Sequence, residues 1–386
     1  MTVETKKILS TVPGLIDNTF PLPGRFRASL STQVAELSRL LTGSRGDRSL
    51  TYLSRPNFLS AYLHYFLPWN LYRLCCLLPS LEIDLKEGDI ITDLGSGPLT
   101  FVSALWIARP ELRALNLEFY CIDHSAPALE AGRNFFTALS KNGNTDIQTW
   151  NINLVREDIR PFIRKGANTA EKKRKSASLL CAVNIFNELY EKIPHSSIME
   201  LKQMAVNIAS YMRILVSEKG RILTVEPGIP QSGRFISFLR EAFIELGYSP
   251  VSPCQHTKEC PLIKKRTNNK KQWCHFAFDT VQAPKELHSL SSAARIPKDR
   301  IVLSYLLTVK NEQTVFNSEN RLRIISDMFP LPNNKYGRYC CSLMGLVLLT
   351  GERIRMEKIA SGHIFTGFIF TKERDKKSGA IIAALT

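Results

Sequence analysis

The stretch Asp89-Ile90-Ile91-Thr92-Asp93-Leu94-Gly95-Ser96-Gly97-Pro98-Leu99-Thr100 decides how the rest of the chain is read. A short apolar run ends in an acid, and a Gly-x-Gly turn follows at once. Behind the turn comes Phe101-Val102-Ser103-Ala104-Leu105-Trp106-Ile107-Ala108, a run that predicts a buried helix. A strand, a glycine-rich turn and a helix are what a nucleotide-type cofactor needs. Glycine lets the backbone approach the ligand, and the helix N-terminus adds partial positive charge. Taken alone, a Gly-x-Gly turn is equally an ordinary strand–helix connection.

The next segment adds to the pattern. Leu117-Glu118-Phe119-Tyr120-Cys121-Ile122-Asp123 is a second apolar run ending in an acid, one βαβ repeat later. In dinucleotide folds the acid at that place binds the ribose hydroxyls. Two strand-end acids at this separation, the first ahead of a Gly-x-Gly turn, resemble an S-adenosylmethionine-dependent methyltransferase. Dinucleotide enzymes favour Gly-x-Gly-x-x-Gly, whereas here Gly97 is followed by Pro98, Leu99 and Thr100. On this reading Asp93, Gly95, Ser96 and Gly97 line the cofactor pocket. Asp123 accepts from the ribose, Asp158 sits near the adenine, and Asn184, at the end of a later strand, completes the site.

Length and composition bound the answer. The 386 residues suffice for two or three domains. With 44% hydrophobic and 22% charged residues the composition is that of a globular protein. A net charge of +16 favours a polyanionic partner, nucleic acid being the simplest, over a merely solvated basic surface. No apolar stretch is long enough to span a membrane. Met1-Thr2-Val3-Glu4-Thr5-Lys6-Lys7 predicts neither a secretory signal nor a transit peptide. The nine cysteines then belong to a reducing compartment, where thiols are buried, metal-bound or catalytic. The expected location is the cytoplasm, with the mitochondrial matrix as the alternative.

Along the chain, residues 1–25 read as irregular, and Phe26–Leu41 as a helix. Phe58–Leu78 reads as two helices interrupted at Pro68. Its aromatic stripe, Tyr62, Tyr65, Phe66, Trp69 and Tyr72, suits core packing better than base stacking. Strands are expected at Asp89–Leu94, Leu117–Asp123, Ile147–Asn153, Ser178–Asn184 and Gly220–Gly228. Helices are expected at Thr100–Ala108, Ala126–Leu139, Ser197–Val216 and Arg234–Leu246. Such alternation predicts an α/β fold with a mainly parallel sheet. A charged break at residues 164–176, with Lys172, Lys173, Arg174 and Lys175, reads as a surface loop able to touch phosphates. β-like runs follow at Cys274–Val281, Arg300–Val309, Gly337–Leu349 and Arg353–Ile359, the last two flanking a Thr350-Gly351 turn. The division expected is a helical cap over 1–85, an α/β domain over 86–314 with an insertion at 250–276, and a β-rich appendage over 315–386.

The insertion carries a second constellation. Pro253-Cys254, Cys260-Pro261 and Trp273-Cys274-His275-Phe276 give a Cys-x5-Cys-x13-Cys spacing. The intervening segment is basic, with Lys258, Lys264, Lys265, Arg266, Lys270 and Lys271, and offers little apolar core. Thiols clustered in such a segment need a metal to order them. Cys340 or Cys341 can supply a fourth ligand. Adjacent strand residues face opposite ways, so only one of the two can. His256 and His275 are fallback ligands, and spacing alone leaves zinc and iron–sulfur both open.

Here the chain resembles the mitochondrial small-ribosomal-subunit assembly methyltransferase-like family, which also has bacterial members. The resemblance rests on Val225-Glu226-Pro227-Gly228-Ile229-Pro230-x-Ser232-Gly233-Arg234-Phe235-Ile236 together with the cysteine–tryptophan cluster. Asn187-Glu188-Leu189, Ser304-Tyr305-Leu306 and Ala61-Tyr62-Leu63 agree with it, so that it spans about residues 50–360. It implies a class I methyltransferase fold, an S-adenosylmethionine site and a role in assembling the small ribosomal subunit. It also implies a [4Fe-4S] cluster on Cys254, Cys260, Cys274 and either Cys340 or Cys341. The family has glycine where this chain has Leu99, and a leucine there is expected to narrow the methionine end of the pocket.

No catalytic residue is assigned. Asn184-Ile185-Phe186-Asn187-Glu188 lacks the prolines of base-amino methyltransferases, and Pro253-Cys254 is misplaced for a cytosine C5 nucleophile. Asn184 and Glu188 are able to orient a substrate, but equally serve as a strand-end cap and a helix-start charge. The favoured function is an RNA-binding small-subunit assembly factor, monomeric off the ribosome, whose partners are small-subunit ribosomal RNA and the pre-ribosomal particle. An active ribosomal-RNA methyltransferase is the alternative. An iron–sulfur redox or sensor protein unrelated to ribosomes is the third.

Overall fold

The computed structural model describes residues 1–42, 52–141, 150–165, 176–190, 197–254, 256–263, 272–310 and 320–386. The basic runs 172–175 and 264–271 lie outside the described residues. The chain forms two compact units. One is built from Met1–Lys165, Glu171–Lys192 and Asp279–Ile301, the other mainly from Ile193–Phe278 and Val302–Thr386.

The first unit opens with helices α1 (Val3–Thr19), α2 (Gly24–Thr42), α3 (Pro56–Ala61) and α4 (Leu67–Leu77). Irregular chain was expected up to residue 25, yet α1 forms. Thr2 caps it by accepting from the Thr5 N–H at 3.1 Å. Its buried stripe, Thr5, Leu9, Val12 and Ile16, keeps helical spacing and outweighs the bond lost at Pro13. Nor does Pro68 interrupt the helical run. Tyr62–Phe66 form one π-helical turn, in which the Leu67 N–H reaches the Tyr62 carbonyl. Pro68 then falls in the first turn of α4.

This cap packs on α5 (Thr100–Ala108), all nine residues of which are buried. Thr5 Oγ1 lies 3.4 Å from the Ile107 carbonyl, and Cys75 Sγ 3.8 Å from that of Ala104. Strands β1 (Ile90–Leu94), β2 (Glu118–Asp123), β3 (Asn151–Arg156) and β4 (Ala177–Val183) run in the order 3-2-1-4. All their pairings are parallel. The third strand is described from Asn151 on. Residues 147–149 fall outside the described residues. Helix α6 (Ala126–Lys141) follows β2. Trp106, Phe119, Phe136 and Trp150 close the core beside it, with ring centroids 4.7–5.9 Å apart. Short helices α7 (Arg160–Lys165) and α8 (Asn187–Tyr190), and later α11 (Lys285–Ala293), complete the unit.

The second unit carries α9 (Ile198–Met212), β5 (Val216–Pro227), α10 (Pro230–Glu245), β6 (Tyr248–Ser252), β7 (Phe276–Asp279) and β8 (Arg300–Lys310). Strand β8 lies between β5 and β6, antiparallel to both, and β7 pairs with β8. A 3-2-1-4 parallel set, followed by a late antiparallel strand between the fifth and sixth, is the arrangement of the class I methyltransferase fold expected from the sequence. A β-rich region follows, with β9 (Leu322–Ile324), β10 (Phe329–Pro330), β11 (Lys335–Ser342), β12 (Gly345–Glu352), α12 (Arg353–Glu357), β13 (Ile364–Phe365), β14 (Phe368–Arg374) and β15 (Ile381–Leu385). The strand order is 13-9-11-12-15-14, with β10 on β11.

Two readings of this region need correction. Gly337–Leu349 is a hairpin, not one strand. It turns at Leu343-Met344, where Gly345 adopts φ +110° and Ser342 pairs with Gly345. Thr350 and Gly351 lie inside β12, and the expected strand from Arg353 is α12. Among the described residues, no helix is long and apolar enough to cross a membrane.

Candidate functional site: an acidic cleft and a cysteine cavity

In the first unit the C-terminal ends of β1, β2 and β4 open onto a cleft. Asp93, Gly95, Ser96, Gly97, Asp123 and Asn184 all line it. Asp158 lines an adjoining hollow that shares Gly95, Asp123 and Glu188 with the first. The seven residues singled out for a cofactor are therefore brought to one place.

The turn after β1 holds its shape through the two acids. Gly95 and Gly97 have φ of +69° and +51°, which glycine adopts without strain. The Gly97 N–H donates to Asp123 Oδ2 at 3.0 Å, and the Ser125 N–H to Oδ1 at 2.8 Å. A carboxylate fixed by two backbone amides keeps lone pairs for a further donor. A Cβ on Gly97 would stand in open space, so the backbone here faces the cleft unobstructed.

Asp93 is buried deeper. It pairs in register with Cys121 on β2 and with Cys181 on β4. The Ser96 hydroxyl donates to its Oδ2, and the Cys181 thiol lies 3.4 Å from Oδ1. Burial pushes the Asp93 carboxyl up to about 7, against the downward pull of those two hydrogen bonds. Cys121 and Cys181, read from sequence as core residues, thus also form the floor beneath this acid.

Leu99 differs from expectation. It adopts φ +53°, the left-handed region that favours glycine, which explains the family's preference there. Its side chain does not narrow the cleft. It is fully buried and turned towards α6, where a Cβ on Gly132 would come within 2.7 Å of Leu99 Cδ1. Asn184 is also left-handed, at φ +57°. Arg73 on α4 donates to its Oδ1 at 2.9 Å and to Asn70 Oδ1 at 2.7 Å. Asn70 in turn donates to the Tyr62 hydroxyl at 3.4 Å. Tyr62 lines the cleft, and burial, aided by the Glu188 charge, raises its phenol to about 12. Asp158 is clamped by Arg160, with Nε–Oδ1 and Nη2–Oδ2 both 2.6 Å, and this holds its carboxyl below the usual range.

The second unit holds a separate cavity. Cys254, Cys260, Cys274 and Cys341 all line it, with Arg240, Tyr305 and Ile325. Cys340 does not belong to it. Alternation along β11 turns Cys340 into the C-terminal core, among Leu322, Ile324, Val347 and Leu349. Neither fallback histidine is among the residues lining the cavity. His256 Nε2 lies 3.4 Å from Cys341 Sγ. His275 stacks on Trp273 and accepts from the Asp327 N–H at 3.3 Å. Burial raises the Cys260 thiol to about 11, and burial also raises Cys274 and Cys341 well above their ordinary value, with the neighbouring thiols adding to it.

The glycine-rich motif after β5 serves this cavity. Trp273 Nε1 donates to the Gly228 carbonyl at 2.9 Å. A Cβ on Gly233 would stand 2.7 Å from Trp273 Cδ1 and 3.1 Å from the Cys274 carbonyl oxygen. Only a glycine in α10 lets the Trp273-Cys274 segment lie so close. Ser304 Oγ then donates to that same Cys274 carbonyl at 2.7 Å. Among the described residues, no group of three or more His, Cys, Asp or Glu is close enough to hold a single metal ion.

Residues 89–329, more than half of the chain, match the family model described as mitochondrial small ribosomal subunit Rsm22. No curated protein matches the chain. Among solved structures, PH0851 is similar at 16% identity and a TM-score of 0.35, over 62% of this chain and 46% of that one. The chain thus spans less than half of that protein's length. YjhP from E. coli is similar at 12% identity and a TM-score of 0.32, over 63% and 92%. So is an S-adenosylmethionine-dependent methyltransferase from Geobacter sulfurreducens in complex with S-adenosyl-L-homocysteine, at 13% and 0.31, over 63% and 91%.

Proposed function

The chain belongs to the mitochondrial small ribosomal subunit Rsm22 family, and we propose that it is an RNA-binding assembly factor of that subunit. Its first unit binds S-adenosylmethionine, and its cysteine cavity holds a [4Fe-4S] cluster. The family's description favours the mitochondrial matrix over the cytoplasm.

The observation that carries the cofactor assignment is Asp123, held by the Gly97 and Ser125 amides at the edge of an acid-lined cleft. S-adenosylmethionine brings a ribose diol, an ammonium and a sulfonium, all of which suit carboxylate lining. Calorimetry tests this. The wild type binds the cofactor, and Asp123→Ala loses about 2 kcal/mol or more, roughly 30-fold, because two hydroxyls lose a charged acceptor. An unchanged affinity in the variant, or no binding by the wild type, overturns the assignment. The turn after β4 carries no proline between Asn184 and Tyr190, which favours binding over turnover. Transfer of labelled methyl groups to small-subunit RNA would establish the alternative, an active methyltransferase.

Four cysteines line one cavity, and among the described residues no group is close enough for one ion. Four thiolates suit zinc and an iron–sulfur cluster alike, and the family resemblance selects the [4Fe-4S] cluster. Cys254, Cys260, Cys274 and Cys341 would hold it, and it would staple the segment after β6 to β11. The net charge of +16 supports RNA as partner. Affinity for small-subunit RNA should then fall steeply as salt rises, since phosphate contacts release counterions. A flat salt dependence would point to a protein partner.

A further inference from the structure

Arg240 on α10 is 2% exposed. A guanidinium so placed needs acceptors on every face. It has them on two. Nη1 pairs with Glu241, and Nη2 donates to the carbonyls of His256 and of Lys258, the latter at 2.8 Å. Glu241 also accepts the Cys260 N–H at 3.1 Å. Arg240 and Glu241 together therefore pin the loop that carries Cys254 and Cys260. The third face is different. Arg240 Nε is shielded from solvent and has no hydrogen-bond partner, although the residue forms part of the cavity wall beside the four thiols.

We propose that Arg240 is the positioning residue of the cysteine cavity, tethering the Cys254–Cys260 loop by its carbonyls and presenting a charge-assisted N–H to a sulfur of the bound cluster. This rests on the cluster assignment above. A buried donor facing anionic sulfur stabilises the more negative, reduced state, so it raises the reduction potential. A purely structural arginine would leave the potential where it is.

The test uses the full-length protein purified without oxygen, and reads iron content, rate of iron loss to a chelator, and midpoint potential by redox titration with electron paramagnetic resonance. R240Q should lose iron about tenfold faster, the low end for an outer-shell residue. Its remaining cluster should have a more negative midpoint. R240K keeps the charge but loses the fork, so its iron loss should match R240Q while its midpoint lies between R240Q and wild type. If R240Q does not fold, the R240K midpoint decides. Iron-loaded variants with the wild-type midpoint overturn the role of Arg240 alone. A wild type that purifies with zinc, or with no metal, overturns the cluster assignment and this role with it.

Discussion

At the scale of single residues, Leu99 separates backbone strain from ligand contact. Its left-handed backbone costs roughly 1–2 kcal/mol for a non-glycine residue, while its side chain fills space against Gly132. Leu99→Gly relieves the first and forfeits the second, and losing a buried leucine costs about 2–5 kcal/mol. We expect a net destabilisation of about 1–3 kcal/mol in thermal melts, with cofactor affinity unchanged by calorimetry. A gain in affinity would show that the side chain does crowd the cleft. Asp93, Gly95, Gly97 and Asp123 were legible because each sits at a strand end fixed by chain order alone. Tyr62, Arg73 and Arg160 were not. They reach the cleft or a residue that lines it from helices whose sequences announce only apolar packing or surface charge, and no local pattern says which way they point.

At the scale of elements, β11 shows how a strand assigns adjacent residues to different jobs. Cys341 faces the cavity and Cys340 the C-terminal core. The period of two was legible, but which phase faced the thiols was not. That phase follows from the hairpin, which places Cys340 opposite Val347, whereas the sequence reads as a single unbroken strand. The two substitutions should therefore differ in outcome. On the proposed cluster assignment, Cys341→Ser should abolish the cluster absorbance in anaerobic preparations while barely moving the melting temperature of the metal-free protein. Cys340→Ser places a hydroxyl in an apolar core at a cost of about 1–3 kcal/mol and should retain the absorbance. The reverse pattern would refute the register. The helix α1 was missed for an opposite reason. Pro13 argued locally against a helix, and tertiary burial of one stripe overrode it.

At the scale of the whole molecule, Asp93 makes stability depend on pH. Its carboxyl titrates near 3.8 when unfolded and near 7 when folded, so the raised value belongs to the native state. A native acid with a raised value favours folding while protonated. That contribution is complete below about 4 and is lost as pH climbs to about 7. Asp93→Asn does not titrate, so its stability relative to wild type should improve steadily across that window and level off above it. Denaturation curves giving a pH-independent difference would contradict a carboxyl held neutral by burial. The four cavity cysteines have a different consequence, set by the order of synthesis. Cys254, Cys260 and Cys274 precede Cys341 in the chain, the last of them by 67 residues (341 minus 274). A nascent chain therefore carries three exposed thiols, competent to be oxidised or to capture a stray metal, for the whole time that this interval takes to be translated. On the proposed cluster assignment, delivery of the cluster has to wait until β11 has emerged, so the window of vulnerability is written into the spacing of these cysteines.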